Sequence, residues 1–315
     1  MAVTDFTLNR CAIGDCRATL RDVPDQVFAC CVTSPPYWGL RDYGHADQIG
    51  LEATPAEYVE RVVEVFREVR RTLRDDGTLW LNLGDSYATG SGGSGTTSDR
   101  QRRSAGTLIA PRAPCRADGL KQKDLVGIPW AVAFALRADG WFLRSDIIWS
   151  KPNPMPESVT DRPTKAHEYV FLLAKSERYF YDAGAIAEPW ADERNGASGS
   201  TRSKYQERIE RADGGVTSAP RTKARNVRSV WSIVPEPYTG AHFATMPPAL
   251  VTRCILAGSP LGGAVLDPFF GTGTTGQVAE SLGRKWFGCE LNPDYCKLNA
   301  ERTAQAGLPF AEVKP

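Results

Sequence analysis

Histidine is scarce in this sequence: there are three, His45, His167 and His242, and they lie far apart. The eight cysteines include no CxxC pair. A structural zinc site or a disulfide framework therefore lacks its usual spacing. No metal, and small buried thiols in a reducing compartment, are the expectation. Long apolar runs are missing as well, since none approaches the roughly 20 residues that span a bilayer. The opening MAVTDFTLNR carries charge early and has no apolar stretch of the kind found in a secretory signal. A cytoplasmic protein that does not engage membranes is expected. Net charge is close to absent, at +1 over 315 residues.

The charge that is present is unevenly placed. Residues 86–123 hold seven Lys/Arg against two acids, and residues 191–230 hold nine against five. Two basic segments on a nearly neutral chain suit a protein that offers one face to phosphates. Solvated surface loops would give the same composition. Residues 86–123 open with SYATGSGGSGTTSDRQRRS, a Gly/Ser-rich and basic stretch that reads as a mobile loop. Residues 183–235 are polar, basic and weakly periodic, and read as an inserted recognition region. The remainder, 1–182 with 236–315, reads as one catalytic domain.

Strands and helices alternate through that remainder. Val27–Thr33 (VFACCVT) is a compact apolar run that stops at two prolines, as a buried parallel strand does. Thr54, Pro55 and Glu57 are a helix start, and Tyr58, Val62, Val65, Phe66, Val69 and Leu73 follow at helical spacing. Asp75-Asp76-Gly77 closes this helix, and 78–83 (TLWLNL) is the next strand. A helix is predicted from Leu125 to about Ala138, and then a strand, FLRSDIIWSK. Glu168–Ala174 (EYVFLLA) is a further buried strand, expected to pair with the stretch around Arg178–Tyr181. A helix is predicted from Met246. The last unit is strand, glycine loop, helix, strand and helix. The class is α/β.

Gly271, Gly273 and Gly276 fit GxGxxG between an apolar strand and a helix. Glycines there allow a tight turn and close approach of backbone to a ligand at a helix N-terminus. Glu290 ends the next strand, 19 residues after Gly271, where an acid can accept from both hydroxyls of a ribose. A nucleoside-type cofactor is indicated. Asp267-Pro268 ahead of the glycines, and a unit with only one strand after it, argue against a dinucleotide such as NAD.

Thr33-Ser34-Pro35-Pro36-Tyr37-Trp38 lies at the carboxyl end of a buried strand, the end at which open α/β sheets bind ligands. An exocyclic base amine is a poor nucleophile, because its lone pair is delocalised into the ring. Accepting hydrogen bonds from its two N–H groups moves it toward a tetrahedral, nucleophilic nitrogen. Ser34 Oγ and the Pro35 carbonyl are suited to that role, Pro36 stiffens the turn, and the Tyr37 ring can stack on an extruded base. A proline-stiffened surface turn is the plain alternative. The downstream glycine loop tips the balance.

At this point the chain resembles the amino-methylating DNA methyltransferases of the permuted β group. TSPPYW at 33–38, a basic variable stretch at 183–235 and DPFFGTGTTG at 267–276 follow that group's order. GDCRATL at 14–20, RPTKAHEYVFLLAKSERYFYD at 162–182, RSVWSI at 228–233 and GAHFATMPPALV at 240–251 extend the likeness over nearly the whole chain. The resemblance implies a Rossmann-like, circularly permuted fold for S-adenosylmethionine-dependent methyl transfer. It implies a loop for the methionine side of the cofactor from Asp267, Phe269, Gly271 and Gly273, with Thr274 beside it. Glu290 would hold the ribose, Asp15 would lie near the adenine, and His242, Phe243 and Pro247 would close over the methionine tail. For His242, capping a helix is the competing role. Ser34, Pro35, Pro36 and Tyr37 would be catalytic.

Serine at the first motif position goes in this group with N4 of cytosine, and aspartate with N6 of adenine, so Ser34 favours cytosine. Carbon-5 methylation would need a thiolate. Cys115 follows a proline but no strand precedes it, and Cys30 and Cys31 sit in a buried strand that keeps thiols inert. Duplex DNA is the expected partner. A homodimer and a separately acting restriction endonuclease are further partners that such an enzyme could have.

Overall fold

A computed structural model describes residues 6–40, 42–45, 47–88, 119–189, 224–236, 246–296 and 298–299. The chain divides into a larger unit, Met1–Asp182 with Ser229–Pro315, and a smaller one, Ala183–Arg228. Among the described residues no helix is long and apolar enough to cross a membrane.

The larger unit is built on one eight-stranded sheet. Its strands are β1 (Arg10–Ile13), β2 (Phe28–Thr33), β3 (Leu73–Leu83), β4 (Phe142–Ser150), β5 (His167–Ala174), β8 (Val230–Ser232), β9 (Ala264–Asp267) and β10 (Lys285–Glu290). The order is β1-β10-β9-β2-β3-β5-β4-β8. The first five run parallel, β5 is antiparallel to both of its neighbours, and β8 is parallel to β4. β2 lies at the centre and is buried along its whole length. This is why it reads as a continuous apolar run rather than an alternating one.

Helices cover both faces. α1 (Cys16–Arg21), α2 (Pro55–Thr72) and α3 (Ile128–Ala138) pack together on one face, and α4 (Pro248–Gly258) and α5 (Thr274–Ser281) pack together on the other. α2 starts as its sequence predicts: Thr54 Oγ1 accepts from Glu57 N at 3.1 Å, and Glu57 Oε2 accepts from Thr54 N at 3.3 Å. Its buried stripe of Tyr58, Val62, Val65, Phe66 and Val69 meets Phe28 and Cys31 of β2 and Leu79, Leu81 and Leu83 of β3. The residues between these, Cys30, Thr78 and Trp80, point to the other face and pack on Gly258 at the end of α4.

Three expectations are corrected. β3 begins at Leu73 rather than at 78, because the chain passes from α2 directly into extended backbone. Leu73 pairs with Phe28 while Thr78 pairs with Cys30, so Asp75-Asp76-Gly77 is an irregularity within the strand. β5 does not pair with the stretch around Arg178–Tyr181. It fills the slot between β3 and β4, which hides its apolar residues on both sides. Residues 229–235 fall in the larger unit and not in the smaller one, and Val230–Ser232 form β8: Trp231 is buried and stacks on Trp80, with ring centroids 6.3 Å apart.

The smaller unit contains a two-stranded ribbon, β6 (Glu188–Pro189) with β7 (Ala224–Arg225). Glu188 takes Arg225 at 3.3 Å and Arg228 at 2.9 Å. Residues 190–223, which carry most of the basic charge noted above, and 89–118 of the Gly/Ser-rich loop lie outside the described residues.

A Cβ at Gly258 would stand 2.4 Å from Trp80 Nε1 and 2.9 Å from Thr78 Oγ1. Overpacking of this kind typically costs roughly 1–3 kcal/mol. Gly258→Ala is therefore expected to lower the urea midpoint at unchanged m. A midpoint equal to that of the parent protein would show that the Trp80 layer yields freely.

Candidate active site

The ends of β2 and β9 stand side by side, with Cys30 opposite Val265 and Cys31 opposite Leu266. The two turns that leave these strands are therefore neighbours, although they are far apart in sequence. Thr33 Oγ1 donates to Asp267 Oδ1 at 2.6 Å across 234 positions of chain. Together with the ends of β3, β5 and β10, the turns wall a cavity of about 780 Å³.

The Ser34–Tyr37 turn is held from several directions. Tyr58 of α2 donates its hydroxyl to the Pro36 carbonyl at 2.9 Å. Trp38 Nε1 donates to the Glu52 carbonyl at 2.9 Å, and Gly39 N to the Gly50 carbonyl at 2.8 Å. The Tyr37 ring lies against Gly84, where a Cβ would come within 2.5 Å of the ring. Among the described residues no donor reaches the Pro35 carbonyl. Ser34 and Pro35 both line the cavity.

The Ser34–Tyr37 turn continues into a polar cluster. Tyr37 Oη donates to Glu168 Oε2 at 2.6 Å, and Asn82 Oδ1 lies 3.3 Å from the same hydroxyl. Asn82 Nδ2 donates to Glu168 Oε2 and to the Tyr169 carbonyl, each at 3.1 Å. Lys151 pairs with Glu168 Oε1 and lies over the Trp149 ring, 4.4 Å from its centroid. Asn82, Lys151 and Glu168 all face the cavity, and sequence reasoning assigned none of them to the site. The available signal was charge at the ends of buried strands: Glu168 near the start of an apolar run, and Lys151 directly after one.

The glycine loop occupies the other side. Gly271 and Gly273 have φ of +51° and +80°, the left-handed region that glycine favours. A Cβ at Gly271 would meet nothing closer than the Phe269 carbonyl at 3.9 Å, so the loop leaves room beside its backbone. Gly276 serves packing, since a Cβ there would stand 2.6 Å from Phe270. Glu290 accepts from Gly271 N at 2.7 Å through Oε2, and from Asn292 N at 2.8 Å through Oε1. Burial pushes its carboxyl from the usual 4.5 up to about 7. Asp267 is buried with its oxygens committed to Thr33, to Phe269 N at 3.1 Å and to Thr275 Oγ1 at 2.7 Å. Its burial pushes the carboxyl up to about 6.

Of the residues singled out from sequence, Ser34, Pro35, Pro36, Tyr37, Asp15, Asp267, Phe269, Gly271, Thr274 and Glu290 line this one cavity. The Asp15 carboxylate caps α1 at Arg17 N, 2.8 Å, and is gripped by the Arg17 guanidinium at 2.6 Å. Burial alone would raise its pKa, but the Arg17 bonds hold it below the usual value. Gly273 and Pro247 do not line the cavity. Gly273 precedes α5 and abuts Asn299, while Pro247 caps α4 and leaves its neighbour Met246 on the wall. His242 and Phe243 lie outside the described residues. Among the described residues no group of three or more His, Cys, Asp or Glu side chains could hold a metal ion.

Comparison with known proteins bears on this arrangement. A family model described as DNA methylase, of the N6/N4 type, matches residues 28–301. The chain is 48% identical over 290 residues to the type II methyltransferase M.SmaI of Serratia marcescens, covering 92% of this chain and 89% of that one. It is 46% identical over 289 residues to M.Cfr9I of Citrobacter freundii, covering 92% and 85%. Among solved structures it resembles a protein of Thermus thermophilus described as a putative DNA modification methylase complexed with S-adenosyl-L-methionine. That match has a TM-score of 0.58 and 25% identity over 96% of this chain and 95% of the other. The PvuII DNA methyltransferase, described as cytosine-N4-specific, shares the fold with a TM-score of 0.62, at 20% identity over 94% and 90%.

The two raised carboxyls make stability depend on pH. The unfolded chain releases these protons near the ordinary 3.8 and 4.5, whereas the folded protein keeps them to about 6 and about 7. Stability from this source is therefore complete below the unfolded values and is lost as pH rises through the folded ones. The ligand-free protein is expected to melt at a lower temperature at about pH 7.5 than at about pH 5, and Glu290→Gln is expected to flatten the upper part of that slope. A melting temperature that climbs across the window would contradict both assignments.

Proposed function

The chain belongs to the DNA methylase family of the N6/N4 amino-methylating type, and on that premise we propose that it methylates N4 of cytosine in duplex DNA. The observation that carries this reading is that Ser34 and Pro35 line the cavity together and bring two acceptors, Ser34 Oγ and a Pro35 carbonyl that no donor reaches among the described residues. They match the two N–H groups of an exocyclic amine. With both N–H groups held, the nitrogen lone pair is drawn out of ring conjugation and turned toward the glycine loop. Serine rather than aspartate at position 34 supports cytosine over adenine.

S-adenosylmethionine, when bound, supplies a methyl group on a sulfonium centre. The residues present fit it. The loop around Gly271 leaves open space beside a left-handed turn. Glu290, at the cavity wall, can accept from ribose hydroxyls while its other lone pairs stay on Gly271 and Asn292. Phe269 and Thr274 would shape the methionine side, and His242 and Phe243 are assigned to closing over it. Asp267 supports this role indirectly, by holding the loop to the catalytic turn. The order of the motifs, amine-binding turn first and glycine loop last, supports a circularly permuted form of the fold.

A base inside a duplex cannot reach Ser34, so the target base leaves the stack and enters the cavity. The Tyr37 ring gives it a face to lie on. The basic segments 86–123 and 183–235 hold the phosphates, and the insertion reads the sequence.

Incubation with S-adenosylmethionine and unmodified mixed-sequence duplex, followed by mass spectrometry of the nucleosides, is expected to yield N4-methylcytosine. N6-methyladenine would retain the mechanism and overturn the choice of base. Ser34→Ala is expected to lower turnover by about 10²- to 10³-fold, the loss typical of one preorganised hydrogen-bonding group at a reacting centre, with cofactor affinity retained. Glu290→Ala is expected to weaken cofactor binding in a calorimetric titration, and parent-like affinity would remove its ribose role.

A further inference from the structure

The Ser34 hydroxyl can help the amine only if it offers lone pairs. A serine proton aimed into the cavity would present a donor to a donor. A free hydroxyl rotates, so something has to set it. The polar cluster around Glu168 does so through the direction in which its hydrogen bonds run.

A carboxylate can only accept, and a lysine ammonium can only donate. Lys151 occupies Glu168 Oε1. The other oxygen, Oε2, accepts from Tyr37 Oη at 2.6 Å and from Asn82 Nδ2 at 3.1 Å. Asn82 cannot turn its amide over, because Nδ2 also serves the Tyr169 carbonyl at 3.1 Å. The single Tyr37 proton is thus spent on Glu168, and the Tyr37 oxygen is left as an acceptor. Ser34 Oγ, 3.4 Å away, donates to it. Both bonds of this relay run from Ser34 toward Glu168, which spends the Ser34 proton on Tyr37 and leaves the Ser34 lone pairs to accept.

We propose that Glu168 is a positioning residue that fixes the direction of the Ser34–Tyr37–Glu168 hydrogen-bond chain, so that Ser34 Oγ meets the substrate amine purely as an acceptor. This rests on the reading of Ser34 as an amine-binding group. Lys151 completes the device by occupying the oxygen that Tyr37 does not use. Tyr37 acquires a second task beyond offering its ring: its hydroxyl transmits the setting.

Glu168→Gln tests the direction rather than the presence of the bonds. A glutamine has one acceptor oxygen for the three donors that converge on residue 168, Lys151 Nζ, Asn82 Nδ2 and Tyr37 Oη, so the Tyr37 proton loses its dedicated acceptor. Asn82 Oδ1, 3.3 Å away, and Ser34 Oγ then compete for the Tyr37 proton, so the chain no longer runs in one direction and Ser34 is no longer held purely as a donor to Tyr37. Tyr37→Phe keeps the ring and removes the transmitting hydroxyl. The measurement is the single-turnover methylation rate with saturating S-adenosylmethionine and a duplex that the parent protein modifies. Cofactor and duplex dissociation constants and circular dichroism are measured alongside.

Each variant is expected to lose about 10- to 100-fold in rate, the worth of one misdirected hydrogen bond to a reacting group, with both dissociation constants unchanged. The double variant is expected to be no slower than the slower single, and Glu168→Gln is expected to add nothing to Ser34→Ala. Losses that multiply, or a parent-like rate in either variant, would overturn the proposal. If Glu168→Gln fails to fold, Tyr37→Phe decides alone, because it leaves the ion pair in place. A fully active Ser34→Ala would sink the amine-binding reading and this inference together. An inactive Ser34→Ala beside parent-like Tyr37→Phe and Glu168→Gln would sink this inference only.

Discussion

The hydrogen bond from Thr33 to Asp267, 2.6 Å long and fully buried, is the tie on which the site depends. It joins the last residue of β2 to the last residue of β9, and so sets the Ser34–Tyr37 turn against the glycine loop. Asp267 extends the tie by accepting from Phe269 N at the start of the loop and from Thr275 at the start of α5. A buried carboxylate without a cation is costly unless it is well bonded. The raised proton affinity of Asp267 is what remains of that cost. The hydroxyls on either side are what make it tolerable.

Around this tie the protein keeps polar groups where a purely structural fold would place apolar ones. Glu290 is buried enough to lift its pKa to about 7. Glu168 and Lys151 form an ion pair at the cavity floor. The Pro35 carbonyl sits on the wall without a donor among the described residues. Such departures from good local packing concentrate at functional sites. The Trp80 side of the sheet, which packs on Gly258 of α4, shows the contrast. There Trp80, Trp231 and Tyr181 stack on one another, with Arg253 over the Trp231 ring, and aromatic packing fills the layer.

Much of this was legible in the chain. The capping box and periodic stripe place α2 to within a residue of its observed bounds. The unbroken apolar run before two prolines marks β2 as a buried parallel strand, and the acid 19 positions after Gly271, Glu290, does reach the cavity wall. These are local signals, in which one stretch of residues carries its own periodicity or terminus. Legibility failed where a residue's role depends on what lies across the fold. Asp15 does line the cavity, but nothing in the sequence shows that Arg17 and the start of α1 hold its carboxylate. Gly273 and Pro247 do not line the cavity: the sequence does not show that Gly273 abuts Asn299 or that Pro247 stands at the start of α4. Glu168 looks like the polar end of a strand, yet it receives the Tyr37 proton.

Sequence by itself therefore determined the class of fold, the two chemistry-bearing turns and the residues at their tips. Periodicity, capping and glycine placement are short-range and survive without neighbours. Tertiary structure alone decided that β5 enters between β3 and β4, that β1 from the beginning of the chain pairs with β10 near its end, and that Trp231 belongs to the sheet. It also decided which hydroxyls and carboxylates meet in the cavity and in which direction their protons run. Strand order and side-chain partnership are set by contacts between residues hundreds of positions apart. No local pattern encodes the distance between two groups that meet only when the sheet closes.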